Sequence, residues 1–176
     1  AFADKHNLKV EALQAKILNW KKTLLKEREK RTRPGLDNKG LTAWNALTVK
    51  AFADAYLAFK NPEYLEQALQ TAAFINTKLS KKDRTLWHTY SHGQAKIDAF
   101  LDDYATVIDA WLTLYQITGN PQWLRDAEKL TNHVLQNFDA GENALFYFAP
   151  ANKQLLSRTV ELSDNVLPAS NSIMAH

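Results

Sequence analysis

The sequence has no cysteine and no long apolar run. Without cysteine, a disulfide framework, a thiolate metal site and a cysteine nucleophile are all excluded. No apolar stretch approaches the roughly 20 residues that cross a bilayer, and the first residues lack a signal-peptide pattern, so we expect a cytoplasmic protein that does not enter membranes. The sequence also lacks a glycine-rich phosphate loop, and no nucleophile-elbow pattern surrounds Ser170 or Ser172.

What remains is the composition of an ordinary globular protein. The chain has 176 residues, of which 45% are hydrophobic and 23% are charged. A chain of this length buries about 70% of the surface that its unfolded form exposes, which is enough for one sizeable core. We therefore expect a single domain.

Basic residues are concentrated between residues 21 and 33, in a chain whose net charge is +3. They are Lys21, Lys22, Lys26, Arg28, Lys30, Arg31 and Arg33. The helix dipole favours basic residues near a helix C-terminus, and Glu27 and Glu29 interrupt the cluster. A solvated helix end is therefore the favoured interpretation, and a surface for anions or nucleic acid is the alternative.

Hydrophobic spacing indicates helices that are arranged as repeated hairpins. A first amphipathic helix is predicted over about 9–30, and a second over 41–59 with Trp44 and Ala51 available to its core face. Asn61-Pro62 then supplies a cap and a first-turn proline for a third helix. Asn120-Pro121 repeats this start at an offset of 120 − 61 = 59 residues. Two copies of an antiparallel helical hairpin are therefore predicted, over about 41–79 and 99–138.

Successive hairpins of this period either stack as an open solenoid or close into an (α/α) toroid. A long polar segment precedes the first helix of each copy, which favours the toroid. Alternating residues within these segments predict short strands over 85–90 and 144–148. A third hairpin would open near residue 168 and be interrupted at His176, so we expect the chain to be an incomplete toroid from a longer protein.

In a toroid, the segments that precede the first helices meet at one mouth. These segments carry our candidate catalytic and binding side chains: Arg33, Asp37, Lys39, Trp44 and Asn45, then Trp87, His88, His92, Asp102, Asp103 and Tyr104, then Arg158, Asp164, Asn171 and Ser172.

Each candidate also has a structural interpretation. Asp102 and Asp103 lie at a predicted helix start, where one carboxylate would cap the helix and the other would be available for catalysis or binding. His88 and His92 would share a metal ion only on a helix, which the nearby Gly93 argues against, so neither a metal nor another cofactor is expected. The tryptophans are either core residues or platforms for sugar rings, and Asp37 with Lys39 forms either a local ion pair or a ligand contact.

Three motifs occur in a fixed order. They are Arg33-Pro34 through Asp37-Asn38-Lys39 to Leu41-Thr42-x-Trp44-Asn45, then Leu101-Asp102-Asp103-Tyr104-Ala105, then Arg158 through Asp164-Asn165 to Pro168-Ala169-Ser170-Asn171-Ser172. With them the chain resembles, from about residue 10 onward, the thioredoxin-domain-containing YyaL-type family of spermatogenesis-associated protein 20-like proteins. The resemblance implies a thioredoxin-like domain followed by an (α/α)6 toroid of the six-hairpin glycosidase type, of which this chain would lack the redox domain and the last hairpins.

The chain departs from the family pattern at three places. The family usually has Asp-Asp-Lys at Asp37-Asn38-Lys39, Ser-Trp-Asn-Gly at residues 43–46 and Pro-Ser-Gly-Asn-Ser at residues 168–172. Asparagine at position 38 removes one carboxylate, which weakens any scheme that needs a charged pair there.

The function implied by the resemblance is that of a carbohydrate-active domain, either hydrolase-like or epimerase-like, by analogy of fold. Asp103 would be the proton donor or base, Asp37 a second carboxylate, and His88 or His92 an auxiliary acid or base. The sugar would be anchored and stacked by Arg33, Lys39, Trp44 and Trp87. The alternative is a non-catalytic toroid that binds a ligand or serves as a scaffold for the thioredoxin-like domain of the same parent chain.

Overall fold

The computed structural model describes residues 2–141, 144–151 and 156–176, and they fall into two compact units, residues 1–37 and residues 38–176. The first unit contains α1 (Phe2–Lys5) and α2 (Val10–Glu29), the second of which matches the helix predicted over 9–30. Helix α2 buries none of its residues, and apolar side chains such as Ile17 and Trp20 are exposed. Within the described ranges, no helix combines the length and the apolar character needed to cross a bilayer.

Two helical hairpins build the second unit. Helix α3 (Thr42–Phe59) is followed by α4 (Pro62–Phe74), and α5 (Leu101–Thr118) is followed by α6 (Pro121–Asn137). A π-helical turn over Ile75–Leu79 extends α4. Helix α3 packs against α4 and α5, and α5 packs against α6 and the short α7 (Ser170–Ala175).

The repeated Asn-Pro start produces the same local structure in both copies. The side-chain oxygen of Asn61 accepts a hydrogen bond from the Glu63 amide at 3.0 Å, and that of Asn120 accepts one from the Gln122 amide at 3.0 Å. The proline that follows has no N–H to leave unpaired in the first turn. The helix before each start ends at a left-handed residue, Lys60 (φ 55°) or Gly119 (φ 66°). The repeat is thus a repeat of helix ends as well as of apolar spacing.

The core of the second unit lies between the two hairpins. Trp111 and Phe138 are among its largest fully buried side chains, and the Trp111 ring packs 4.9 Å from that of Trp123. Helix α3 buries Ala46, Val49 and Ala53, whereas Trp44 is 63% exposed. The predicted core face of α3 was therefore wrong. Apolar residues occur on more than one face of this helix, so spacing alone does not select the buried one.

A small antiparallel sheet precedes α5. Strand β2 (Trp87–Ser91) pairs with β1 (Gly40–Leu41) on one side and with β3 (Gln94–Asp98) on the other. His92 (φ 49°) and Gly93 (φ 79°) form the two-residue turn between β2 and β3, which is the left-handed geometry that such hairpins prefer. The strand predicted over 85–90 is confirmed with a small shift, and it has a partner strand that was not predicted.

The strand predicted over 144–148 does not form, so that prediction was wrong. Phe146 makes only an isolated bridge to Asp139. Its amide donates to the side-chain oxygen of Asn171 at 2.8 Å, and its carbonyl accepts from the Asn171 amide group at 3.0 Å. A side chain therefore satisfies the backbone groups that a partner strand would have paired.

Candidate active site

A buried carboxylate–imidazole pair joins the start of α5 to strand β2. Asp103 is 0% exposed, and its Oδ2 lies 2.7 Å from Nδ1 of His88. The backbone amide of Ala43 donates to Oδ1 of Asp103 at 3.0 Å, and the amide of Phe100 donates to Oδ2 at 3.0 Å. Because both oxygens of Asp103 act as acceptors, the proton of the neutral imidazole belongs on Nδ1, and Nε2 is the basic nitrogen of His88.

Local sequence explains why this pair is held in place. Phe100 precedes the first residue of α5 and Asp103 is the third, so the carboxylate reaches back to the cap amide as in a capping box. The Phe100 ring packs edge-on against the His88 imidazole with the centroids 5.1 Å apart. The Thr42 hydroxyl donates to the carbonyl of Trp87, which ties β2 to the start of α3. Packing and hydrogen bonds thus fix both members of the pair.

Asp102 lies beside this pair and is only partly buried. Its Oδ1 accepts a hydrogen bond from the Asp103 amide at 2.9 Å. Burial, reinforced by the negative charge of Asp103, raises the pKa of the Asp102 carboxyl to about 6, against the opposing effects of that hydrogen bond and of His88. A carboxyl group that is still partly protonated near neutral pH has the property required of a general acid.

The raised pKa of Asp102 predicts how stability depends on pH. The carboxyl binds its proton more tightly in the folded chain, where its pKa is about 6, than at its ordinary value of 3.8. Its stabilising contribution is therefore complete below about pH 4 and is lost as the pH rises through 6. Asp102→Asn, which cannot ionise, should equal the wild type at pH 4 and exceed it by about 1–3 kcal/mol at pH 7.

Urea unfolding of the wild type and of Asp102→Asn at pH 4, 5, 6 and 7 measures this difference. Asp109→Asn, on the same helix, serves as the matched control and should not acquire the same pH dependence. A difference between Asp102→Asn and the wild type that stays constant from pH 4 to pH 7 would contradict the assignment.

His88, Asp102 and Asp103 are also the one group in the described ranges with ligand atoms gathered closely enough, within 4.8 Å of one another, to hold a metal ion. A metal ion bound by all three would compete with the amides and the imidazole that already contact Asp103. The arrangement therefore suits a hydrogen-bonded acid–base pair better than a metal centre. His92 lies in the turn after β2, so the spacing of His88 and His92 does not place them on one helix.

Hydrogen bonds connect the segment that contains the last group of candidates, residues 158–172, to the start of α7. The Glu161 carboxylate accepts from the amide and the hydroxyl of Ser170 at 3.1 and 2.9 Å, and the side chain of Asn171 donates to the Glu161 carbonyl at 2.9 Å. The charge of Glu161 adds to the effects that raise the pKa of Asp102. Hydrogen bonds from the Ala169 amide and then from Ser172 lower the pKa of Asp164. These residues thus hold the loop before α7.

Several other candidates have partners in their own loops. The Arg158 guanidinium donates to the carbonyls of Ala149 and Asn137 at 2.8–3.1 Å. The Lys81 ammonium lies 4.2 Å from the centroid of the Trp87 ring, so one face of that indole is covered. The side-chain amide of Asn45 donates to the carbonyl of Leu41 at 2.7 Å.

The remaining candidates are spread over both units. Arg33 and Asp37 belong to the first unit, where the Arg33 guanidinium lies 3.7 Å from the Glu29 carboxylate. Lys39 is exposed ahead of β1 in the second unit. The hydroxyl of Tyr104 accepts from the Leu86 amide at 3.2 Å, and Tyr104 lines a cavity whose lining includes neither His88 nor Asp103.

Sequence reasoning missed three contributors to this region. Ala43 acts through its backbone amide, which leaves no signal in the identity of the residue. Phe100 could have been found, because it occupies the cap position before a predicted helix start. The position of Lys81 over the Trp87 ring depends on the path of a loop, which the sequence pattern does not define.

No protein-family model matches the sequence. The chain is 30% identical over 181 residues to an uncharacterized protein of Caenorhabditis elegans, covering 99% of this chain and 25% of that protein. It is 28% identical over 185 residues to mouse spermatogenesis-associated protein 20, covering 99% of this chain and 23% of that protein. The chain is thus similar over nearly its whole length to a segment of spermatogenesis-associated protein 20. It spans about a quarter of the length of these relatives, and the resemblance seen in the three motifs is confirmed.

Two solved structures share the fold. A GH76 α-mannanase from Bacteroides thetaiotaomicron superposes with a TM-score of 0.56 at 21% identity, over 67% of this chain and 32% of that chain. Cellobiose 2-epimerase from Bacillus thermoamylovorans superposes with a TM-score of 0.58 at 19% identity, over 68% of this chain and 33% of that chain. These likenesses confirm the expected fold class, in which the helical hairpins form part of an (α/α)6 toroid.

Proposed function

We propose that the His88–Asp103 pair and Asp102 form the acid–base centre of a carbohydrate-active toroid. The observation that carries this proposal is the contact of 2.7 Å between a fully buried carboxylate and an imidazole, next to a carboxyl group whose pKa is raised to about 6. Nε2 of His88 is the general base and Asp102 is the general acid. Asp103, expected from the sequence to be the proton donor, becomes a positioning residue because its oxygens are already occupied.

The reaction that this site supports best is proton transfer at a sugar carbon, as in an epimerase-like enzyme. Nε2 of His88 takes the proton from the carbon next to a carbonyl, and Asp102 gives its proton to the carbonyl oxygen, which becomes a hydroxyl. The enediol then turns its other face towards His88, whose Nε2–H returns the proton to that carbon, while Asp102 takes back the hydroxyl proton and the carbonyl re-forms. Two carboxylates that flank a glycosidic bond at about 5–5.5 or 6.5–9.5 Å would favour hydrolysis instead, but Asp103 is buried and engaged. Among the two reactions, the site therefore supports hydrolysis less well than epimerisation.

The length of the relatives indicates that the functional protein is longer than this chain. We propose that the chain is part of one toroidal domain in a longer protein, with a thioredoxin-like domain and further hairpins outside this segment. The fourfold greater length of the relatives supports this proposal. Sugar contacts are proposed for the exposed candidates of the second unit, namely Lys39, Trp44 and His92, whereas the roles expected for Arg33 and Asp37 in the first unit stay predictions.

Isotope exchange in the longer parent protein tests the proposed function. The protein is incubated in D2O with neutral, amino and acidic aldoses, and NMR follows deuterium entry at carbon 2. We expect exchange with one class of sugar, a loss of at least tenfold in Asp102→Asn, and no loss in the control Asp109→Asn. A parallel assay with aryl glycosides detects hydrolysis. Absence of both exchange and cleavage for every sugar would contradict the enzymatic proposal.

One observation favours a non-catalytic role as the second candidate function. Arg158 and Asn171 donate hydrogen bonds to backbone carbonyls of the chain's own loops, and Lys81 covers one face of Trp87. Side chains that already contact the protein in this way are typical of a mouth that its own loops fill. In that case the toroid binds a ligand or supports the thioredoxin-like domain. Substitutions at the mouth would then weaken binding or domain docking and leave no turnover to measure.

A further inference from the structure

A polar cavity lies beside the sheet, and its lining does not include the His88–Asp103 pair. Trp87 and His88 are neighbours on β2, so their side chains leave opposite faces of the strand. Lys81, which forms an ion pair with Asp98, lies over the Trp87 ring. The cavity next to them has a volume of about 130 Å³, and its polar lining consists of Lys81, Asp83, Thr85, Asp98, Tyr104, His133 and Asn137.

Tyr104 supplies a hydroxyl donor to this cavity. The residue is 3% exposed, and its oxygen accepts the Leu86 amide at 3.2 Å. Accepting that bond uses a lone pair, so the hydroxyl proton can be donated to another acceptor. Burial raises the pKa of Tyr104 to about 12, so the phenol keeps this proton at all physiological pH values.

His133 supplies a second neutral donor beside Tyr104. The side-chain nitrogen of Asn137 lies 3.2 Å from Nδ1 of His133 and donates to it, which assigns the ring proton to Nε2. Burial lowers the pKa of His133, so the neutral ring is favoured. The Tyr104 and His133 ring centroids are 5.0 Å apart. Two uncharged side chains that each carry one donor therefore have adjacent rings in the lining.

The carboxylate of Asp83 and the net charge of the lining limit which ligands the cavity can bind. Asp83 accepts from the amide and hydroxyl of Thr85 at 3.0 and 2.7 Å, and these bonds lower the pKa of Asp83 and keep it ionised. Since Lys81 and Asp98 balance each other, Asp83 leaves one negative charge, which disfavours an anion. Among the described residues, the grouping of ligand atoms that a metal ion requires occurs at His88 rather than here.

A hydroxyl group matches this mixed lining because it donates and accepts at the same time. The volume of about 130 Å³ is below the about 300–1,000 Å³ of a pocket that encloses a whole small-molecule ligand. Asp83 is exposed, so the cavity reaches the surface and a larger molecule could extend outward from it. We propose that this cavity binds two or three adjacent hydroxyl-bearing carbons of a neutral polyol, such as one edge of a sugar ring.

The proposal does not depend on catalysis, and NMR titration of the full 176-residue chain tests it directly. Erythritol is the probe, and the Leu86 and Ala99 amides, which flank the cavity, are the reporters. We expect saturable shifts of these amides in the millimolar range, with linear and much smaller changes for amides of α4. Sodium sulfate and magnesium chloride should give no saturable shift at the same amides.

Two variants connect the shifts to the cavity. Tyr104→Phe and His133→Phe each remove one donor and keep an aromatic ring, and each should weaken erythritol binding at least fivefold. Tyr115→Phe, on the same helix as Tyr104, is the matched control and should bind as the wild type does. Changes that never saturate, equal binding by His133→Phe and the wild type, or saturation by sulfate or magnesium would each overturn the proposal.

Discussion

Replacing Asp103 by alanine should lower the free energy of unfolding by about 3–5 kcal/mol, because three donors lose the acceptor that they share. The substitution removes the acceptor for the amides of Ala43 and Phe100 and for Nδ1 of His88. A buried donor left without a partner costs about 1–3 kcal/mol. Water can reach the half-buried Phe100 and His88 more easily than it reaches Ala43, so the total falls short of the full sum.

Urea unfolding monitored by far-ultraviolet circular dichroism measures this loss. The matched control is Asp109→Ala, because Asp109 lies on the same helix but forms only a partly exposed ion pair with Lys50 at 3.5 Å. Such a pair contributes about 0–1 kcal/mol. Asp103→Asn keeps one acceptor and should fall between the two. A loss below 1 kcal/mol in Asp103→Ala would show that the carboxylate does not hold these three donors.

Replacing His88 by glutamine should lower kcat/KM of the parent protein by about 10²–10⁴-fold for the sugar identified by isotope exchange, since this is the usual contribution of a positioned acid or base. Glutamine can still donate to Asp103, so the fold should be retained, but its amide cannot accept a proton at neutral pH. The loss should lie in kcat rather than in KM, because the imidazole acts on the reacting proton.

The pH–rate profile distinguishes this role from a structural one. The limb that reports an essential base should be present in the wild type and absent from His88→Gln. His6→Gln, in the first unit, is the matched control and should retain the wild-type profile. Wild-type turnover by His88→Gln, or a comparable loss in His92→Gln alone, would contradict the assignment of His88 as the base.

The helices and their ends were predictable because their signals are local. The Asn-Pro starts at residues 61 and 120 contain the cap and the first-turn proline together, and both form the predicted contacts. The buried face of α3 was not predictable from spacing, since α3 has apolar residues on several faces. The strand expected over 144–148 failed because Asn171, 25 residues beyond Phe146, supplies its hydrogen bonds.

The candidate site was only partly predictable. Sequence pattern identified His88, Asp102 and Asp103 individually, and it anticipated that one aspartate would cap the helix. Their arrangement depends on β2 lying beside the start of α5, and the pairing of β2 with β1 and β3 is a long-range property. The pKa of Asp102 follows from burial and from neighbouring charges, which no single motif specifies.

The hydrogen bond between Ala43 and Asp103 shows how the two hairpin copies differ. At the repeat offset of 59, Asp103 corresponds to residue 44 (103 − 59 = 44), so the start of the first copy has Trp44 where the second has the carboxylate that accepts this bond. The first copy contributes an amide and the positive end of α3, and the second contributes the acid that receives them. The duplicated element has thus diverged into a donor half and an acceptor half, and neither hairpin alone could assemble the centre.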